Sequence, residues 1–188
     1  AAQPAQTGTE SYNFFLAVAF PHHQLRILPY NRVVSDLNGL SRQEFLSKLG
    51  RSFALHAAPG AVTPAKPGEF GLYLSGQWYR LNIHASLVPM NGPVDRLDVS
   101  LLADRMLVPL LGISDPRRDR RIDFIGGIRG PAELEKRVDS GEMAAAISMF
   151  PTRMEDLMAV ADVGEVMPPK STWFEPKLAD GLVSHVLD

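Results

Sequence analysis

The residues best able to do chemistry lie near the C-terminus, in Met167-Pro-Pro-Lys-Ser-Thr-Trp-Phe-Glu-Pro-Lys-Leu-Ala-Asp-Gly-Leu182. Prolines stiffen this loop, which carries Lys170, Ser171, Thr172 and Lys177. Ammonium groups beside hydroxyls suit a phosphate or carboxylate, which they meet as point charge plus neutral donors. Trp173 and Phe174 would anchor the loop in apolar surroundings. The competing reading is a structural loop whose aromatics fill the core and whose lysines face water. Arg32, after Leu28-Pro29-Tyr30-Asn31, is a second candidate, because a fixed guanidinium can pair with an oxyanion through two bonds. A surface ion pair is the alternative there. Lys170, Ser171, Thr172, Lys177 and Arg32 are therefore the candidate substrate- or anion-binding residues; no catalytic residue is assigned.

Other signals are weaker. Gly126-Gly127-Ile128-Arg129-Gly130 lies between a strand-like and a helix-like run, a setting in which helix-terminal amides hold anions. It lacks both Gly-x-x-x-x-Gly-Lys-Ser/Thr and dinucleotide-loop spacing, so a tight glycine connection is the simpler reading. His22, His23, His56, His84 and His185 contain no i, i+4 pair, and no metal site is assigned. No Gly-x-Ser-x-Gly elbow is present, which argues against a standard serine hydrolase. The absence of cysteine excludes thiol nucleophiles, disulfides and Cys-based metal sites. Arg117, Arg118, Arg120 and Arg121 cluster, but Asp115, Asp119 and Asp123 nearly balance them. A solvated loop explains that stretch better than a nucleic-acid contact.

The elements that must position these residues alternate between strand and helix. Tyr12 to Phe20 is a continuous apolar run, read as a strand buried on both faces and paired in a hairpin with Leu25 to Leu28. Ser41-Arg42-Gln43-Glu44 is a capping box opening a helix that Gly50 ends. Phe70 to Ile83 is a second hairpin around Ser75-Gly76, with period-two alternation beyond the turn. Asp98 is placed to cap a helix running to about Val108. A βαβα stretch follows. Its parts are a strand at Arg121 to Ile125, a helix with Pro131 in its first turn, a strand at Met143 to Met149, and a helix opened by a capping box at Thr152-Arg153-Met154-Glu155. A last strand is expected near Leu182 to Leu187. The fold class is α+β: a mixed sheet with at least two hairpins and four helices. Residues 1–11 read as a linker and 12–188 as one domain.

The chain has 188 residues and a formal net charge of −2. That length supports a core without disulfide or metal. The near-neutral charge disfavours nucleic-acid binding, which rests on excess Lys and Arg. No run of 18 or more apolar residues occurs, so no membrane partner is expected. The cysteine-free composition fits a cytoplasmic location.

The loop at Lys170 carries a resemblance. Met167-Pro-Pro-Lys-Ser-Thr-Trp-Phe-Glu-Pro-Lys-Leu178, with Gly181-Leu182, resembles the C-terminal signature of a bacterial and archaeal family, domain of unknown function 1015. Leu28-Pro-Tyr-Asn-Arg-Val-Val34, Leu97-Asp-Val-Ser-Leu-Leu102 and Pro109-Leu-Leu-Gly112 are similar to other blocks of that family, in the same order. Full-length members are about twice as long and carry an upstream Asp-Gly-His-His-Arg motif. Here His22-His23 follows Phe20-Pro21 and precedes Gln24, so the motif is absent. The resemblance implies the C-terminal part of a longer protein, with that protein's own N-terminal domain as partner. The upstream motif is similar to one in the ParB/sulfiredoxin-like fold, which includes DNA-partition proteins and free-serine kinases. That likeness is a fold-level analogy. By that analogy the expected function is part of a small-molecule phosphotransferase, in which this region binds an amino acid or a phosphorylated metabolite. A nucleotide with Mg would then serve as cofactor of the full-length protein. The alternatives are a non-catalytic binding or interaction domain, and nucleic-acid binding by analogy with partition proteins.

Overall fold

The computed structural model describes residues 7–177 and 181–186. Its main feature is a six-stranded sheet of β2 (Tyr30–Val34), β3 (Phe53–Ala58), β4 (Glu69–Leu74), β5 (Gln77–Ile83), β6 (Ile122–Gly126) and β7 (Ala145–Met149), in the order β3-β5-β4-β7-β2-β6. Each hydrogen-bonded neighbour pair is antiparallel. Two short strands, β1 (Arg26–Leu28) and β8 (Trp173–Glu175), form a separate two-stranded sheet. The helices are α1 (Arg42–Leu49), α2 (Asp98–Leu102), α3 (Gly130–Asp139) and α4 (Met154–Asp162), which makes the fold α+β.

Alternation along the strands divides the sheet into two apolar faces. Val34, Phe70, Leu72, Ile147 and Met149 join Phe45 and Leu49 of α1 and Leu101 and Leu102 of α2 in one cluster. Val33, Tyr73, Ala146 and Ile125 join Leu134 and Val138 of α3 in the other. Because both faces are covered, β4 and β7 are buried along their whole length, and both are mostly apolar, with Glu69 and Ser148 as their buried polar residues. The β4–β5 turn is as expected: Ser75 and Gly76 both have positive φ, 50° and 79°, the requirement of a tight two-residue hairpin. At α1, Ser41 and Glu44 exchange both bonds of the capping box.

Several local expectations are corrected. Leu97, not Asp98, occupies the N-cap of α2, and the Asp98 side chain makes no cap bond. The helix continues through Ala103–Leu107 as a π-type turn, with the Val108 amide bonded to the Ala103 carbonyl at 2.9 Å. The capping box at Thr152 does not form: Arg153 is the N-cap of α4, without a side-chain bond. No strand forms at Leu182 to Val186; Leu187 lies outside the described residues, as do residues 1–6 of the expected linker and Leu178 of the loop motif.

The chain groups into two compact units, Ala1–Arg26 with Phe174–Asp188, and Ile27–Trp173. In the first, the expected strand and hairpin over Tyr12 to Phe20 are absent: Ser11–Asn13 is a 3-10 turn and the following residues have no sheet partner among those described. Phe14 and Phe15 are exposed, the latter by 84%. An all-apolar run becomes a central strand only when other strands flank it, and none does so here. In the same unit, the His185 Nε2 lies 2.8 Å from the Ser11 carbonyl.

Candidate functional site

Within the unit Ile27–Trp173, two neighbouring features gather polar groups. The first involves Arg32 of β2. Strand alternation puts Arg32 on the face of Val34, yet the residue is only 4% exposed. Its Nη1 donates to the Tyr30 carbonyl and its Nη2 to the Lys170 carbonyl at 3.1 Å. The guanidinium also sits 5.5 Å from the centre of the Phe124 ring. Burial lowers its pKa to about 10, opposed by the negative potential of Asp98 among others. A buried cation retained at such cost must have its donors satisfied, and here they fasten the loop that carries Lys170.

That loop is held at several points. Lys170 adopts a left-handed backbone, φ 57°, and its exposed side chain sets Nζ 5.5 Å from the centre of the Tyr30 ring. Tyr30 in turn lies 5.3 Å from Trp173, centroid to centroid. Trp173 packs where a Cβ on Gly126 would have to go, so this glycine serves close approach of an aromatic ring rather than an anion. Ser171 is buried and donates to the Pro168 carbonyl at 2.7 Å. Thr152, the residue expected to cap α4, instead donates to the Ser171 carbonyl at 2.8 Å. Thus Arg32, Lys170, Ser171 and Thr172 are brought into one neighbourhood. Lys177 is exposed and belongs to the other unit.

The second feature is a cavity of about 490 Å³, which Thr152 also lines. Asp98, Asp156, Lys66, Arg96 and Arg153 provide its charges, and Ile83, Val88 and Phe150 are among its apolar walls. Arg153 grips Asp156 through Nε and Nη2 at 2.8 and 2.6 Å. That pairing lowers the pKa of Asp156 and raises that of Arg153. Asp98 is different. Its Oδ1 accepts from the Gly68 amide at 2.8 Å, while its buried Oδ2 has no hydrogen-bond partner among the described residues. Burial raises its pKa to about 7, outweighing the Gly68 bond and the attraction of Arg153 and Arg32. Desolvation is thus the dominant cause. Sequence reasoning missed this cavity. The available signal is Asp98 inside the Leu97–Leu102 block, where its position suggests a helix cap.

Among the described residues no three His, Asp or Glu side chains converge as metal ligands. Within the basic cluster, Arg117 and Arg118 bridge to Asp115, and Arg121 to Asp119. Arg121 also donates to the carbonyls of Leu111 and Gly112. No helix among the described residues is long and apolar enough to cross a membrane.

Fold and cavity together define an α+β protein built on a six-stranded antiparallel sheet, with a charged cavity beside one end of α2. The model of the family described as "Protein of unknown function (DUF1015)" matches residues 1–100, and the chain belongs to that family. The matched stretch includes Leu28–Val34; the blocks at Pro109 and Met167 lie beyond it. No curated protein matches the chain. Among solved structures, a free serine kinase in complex with AMP is similar at 19% identity over 80% of this chain and 54% of that one, with a TM-score of 0.46. A conserved hypothetical protein from Pyrococcus furiosus is similar at 16% identity over 80% of this chain and 56% of that one, also with a TM-score of 0.46. The chain therefore spans about half the length of these structures.

Proposed function

We propose that this chain supplies the substrate-binding part of a small-molecule phosphotransferase acting on an amino acid or a phosphorylated metabolite. The observation that carries this reading is the convergence of Lys66, Arg96 and Arg153 on one cavity with Asp98. Its volume of about 490 Å³ suits a metabolite. In phosphoryl transfer the protein contributes mainly position and electrostatics, and three cations around a small chamber supply both for a carboxylate or phosphate. Lys170 provides further positive charge, and Arg32 holds the Lys170 loop in place.

The test is steady-state phosphotransferase kinetics of the full-length protein. Arg96→Ala and Lys170→Ala should each raise KM about tenfold while leaving kcat within about twofold, the pattern of lost ground-state binding. Unchanged KM and kcat in both variants would remove the cavity cations and the loop from substrate binding.

A second reading, a binding or interaction domain without catalysis, draws on the exposed apolar residues Phe14, Phe15, Leu16 and Val18, since contiguous exposed apolar surface marks contact sites. Under it the full-length protein turns nothing over and elutes with a stable partner.

A further inference from the structure

We propose that the charged cavity takes up its anion together with a proton, that Asp98 in the cavity wall receives the proton, and that anion affinity therefore falls as the medium becomes alkaline. This rests on the reading of the cavity as an anion site and adds how that site is regulated.

The Asp98 carboxyl belongs to the cavity wall, yet it is shut off from contact with a ligand. Its Oδ1 is held by the Gly68 amide at 2.8 Å. Its Oδ2 is buried and has no hydrogen-bond partner among the described residues. A carboxylate kept from water and given one amide donor is costly to ionise, while the neutral acid is not. Burial is accordingly the largest cause of its raised pKa, about 7. What reaches this group from the chamber is the electric field, which needs no contact. The proton itself enters through local openings of the wall, and its equilibrium is independent of the route.

The charges around Asp98 come from several elements. Lys66 stands in the loop before β4, Arg96 just before α2, and Arg153 and Asp156 at the start of α4, all on the wall. Arg32 acts from β2. Glu69, next to Gly68, is bridged to Arg80 of β5. Arg153 grips Asp156 and lowers its pKa, so that pair stays charged where Asp98 changes. No histidine lines the cavity; His84 adjoins the wall residues Ile83 and Ala85. Asp98 and Arg153 act on each other, and Arg96 acts on Asp156. An anion held by these arginines therefore lies within the field that Asp98 feels. It offsets the attraction of Arg153, which favours the carboxylate, and adds a repulsion of its own. Both effects favour the neutral acid. By reciprocity, protonating Asp98 strengthens anion binding by the same factor. For charges about 10 Å apart near a protein surface that factor is about tenfold.

The test is calorimetric titration of the intact protein with sodium sulfate at fixed ionic strength. Sulfate keeps both charges across the range used, so any change in affinity comes from the protein. Wild type should bind sulfate about tenfold more tightly at pH 5.5 than at pH 8.5. At pH 7.5, titrations in two buffers of different ionisation enthalpy should show about half a proton taken up per sulfate, the uptake that a tenfold linkage implies. Asp98→Asn, which keeps an oxygen for the Gly68 amide, should bind with equal affinity within about twofold at both pH values and take up no proton. Wild-type affinity that is independent of pH, with no proton uptake, overturns this inference and leaves the anion site standing. Proton uptake that persists in Asp98→Asn assigns it to another group, such as His84, and overturns it as well. The uptake measured on wild type decides the matter even where the variant does not fold. Absence of sulfate binding at either pH overturns the anion site and this inference together.

Discussion

At the scale of single residues, Asp98 and Arg32 are the unusual ones, and they are linked. Each is a charge removed from water, and each feels the other's potential. For Asp98 the consequence for stability has a definite sign. Its folded pKa is raised from 3.8 to about 7, so between those values the folded protein holds a proton that the unfolded chain has released. Stability therefore falls as pH rises through that window, and the penalty is complete above it. A shift of this size corresponds to about 4 kcal/mol as an upper bound. Asp98→Asn removes the ionisation and keeps the Gly68 bond. Urea denaturation should show the variant more stable than wild type at pH 8 and nearly equal to it at pH 4. Equal stabilities at both pH values would mean that Asp98 titrates normally. The sequence singles out Arg32 as an anion-binding candidate or a surface ion pair, and does not reveal that it is buried. Nothing local reveals that a strand residue five positions into the sheet unit will donate to a carbonyl 138 residues away.

Between residues and the whole lie the elements, and here two capping boxes make a controlled comparison. Both have the same pattern, a hydroxyl residue followed three positions later by glutamate. At Ser41 the pattern is obeyed: the hydroxyl accepts from the Glu44 amide and donates to the Glu44 carboxylate, so its bonds close within one turn. At Thr152 a distant carbonyl, that of Ser171, takes the hydroxyl instead. Local signals were readable wherever the partner was also local: the α1 cap, the Ser75-Gly76 turn, and the alternation of β5. They failed where the partner came from far along the chain, at the Thr152 hydroxyl and the Asp98 carboxyl, and where an apolar run finds no sheet partner among the described residues, from Tyr12 to Phe20. The substitutions Ser41→Ala and Thr152→Ala should accordingly differ in kind. The first removes a helix cap and should cost about 1 kcal/mol in denaturant titration. The second should leave α4 intact and raise amide hydrogen exchange at residues 170–172. Increased exchange confined to α4 would return Thr152 to the role of a cap.

For the molecule as a whole, the net charge of −2 acquires a structural basis. Arg117, Arg118 and Arg121 of the basic cluster are paired with aspartates on their own loop, and Arg137 is held by Asp123 and Glu142. The protein should therefore pass through a duplex-DNA column at about 50 mM salt without retention, since phosphate binding requires an excess of cations that release counterions. Retention that falls steeply as salt is raised would contradict this and revive the nucleic-acid reading. Membership of the family was legible from short blocks of sequence. The order of strands was not, because it depends on pairings between segments far apart in the chain.

That strand order has a bearing on how the protein is made. β2 is hydrogen-bonded only to β6 and β7 within the main sheet, and both are synthesised long after it. β3, β4 and β5 can pair as soon as they leave the ribosome, but β2 must wait for about ninety more residues before it has either neighbour. Until then Val33, Val34 and the guanidinium of Arg32 have nowhere to go. The emerging chain thus passes through a prolonged stage with one half of its sheet formed and the segment that secures the Lys170 loop still unplaced. This is the interval in which a nascent protein of this topology depends most on being shielded from its neighbours.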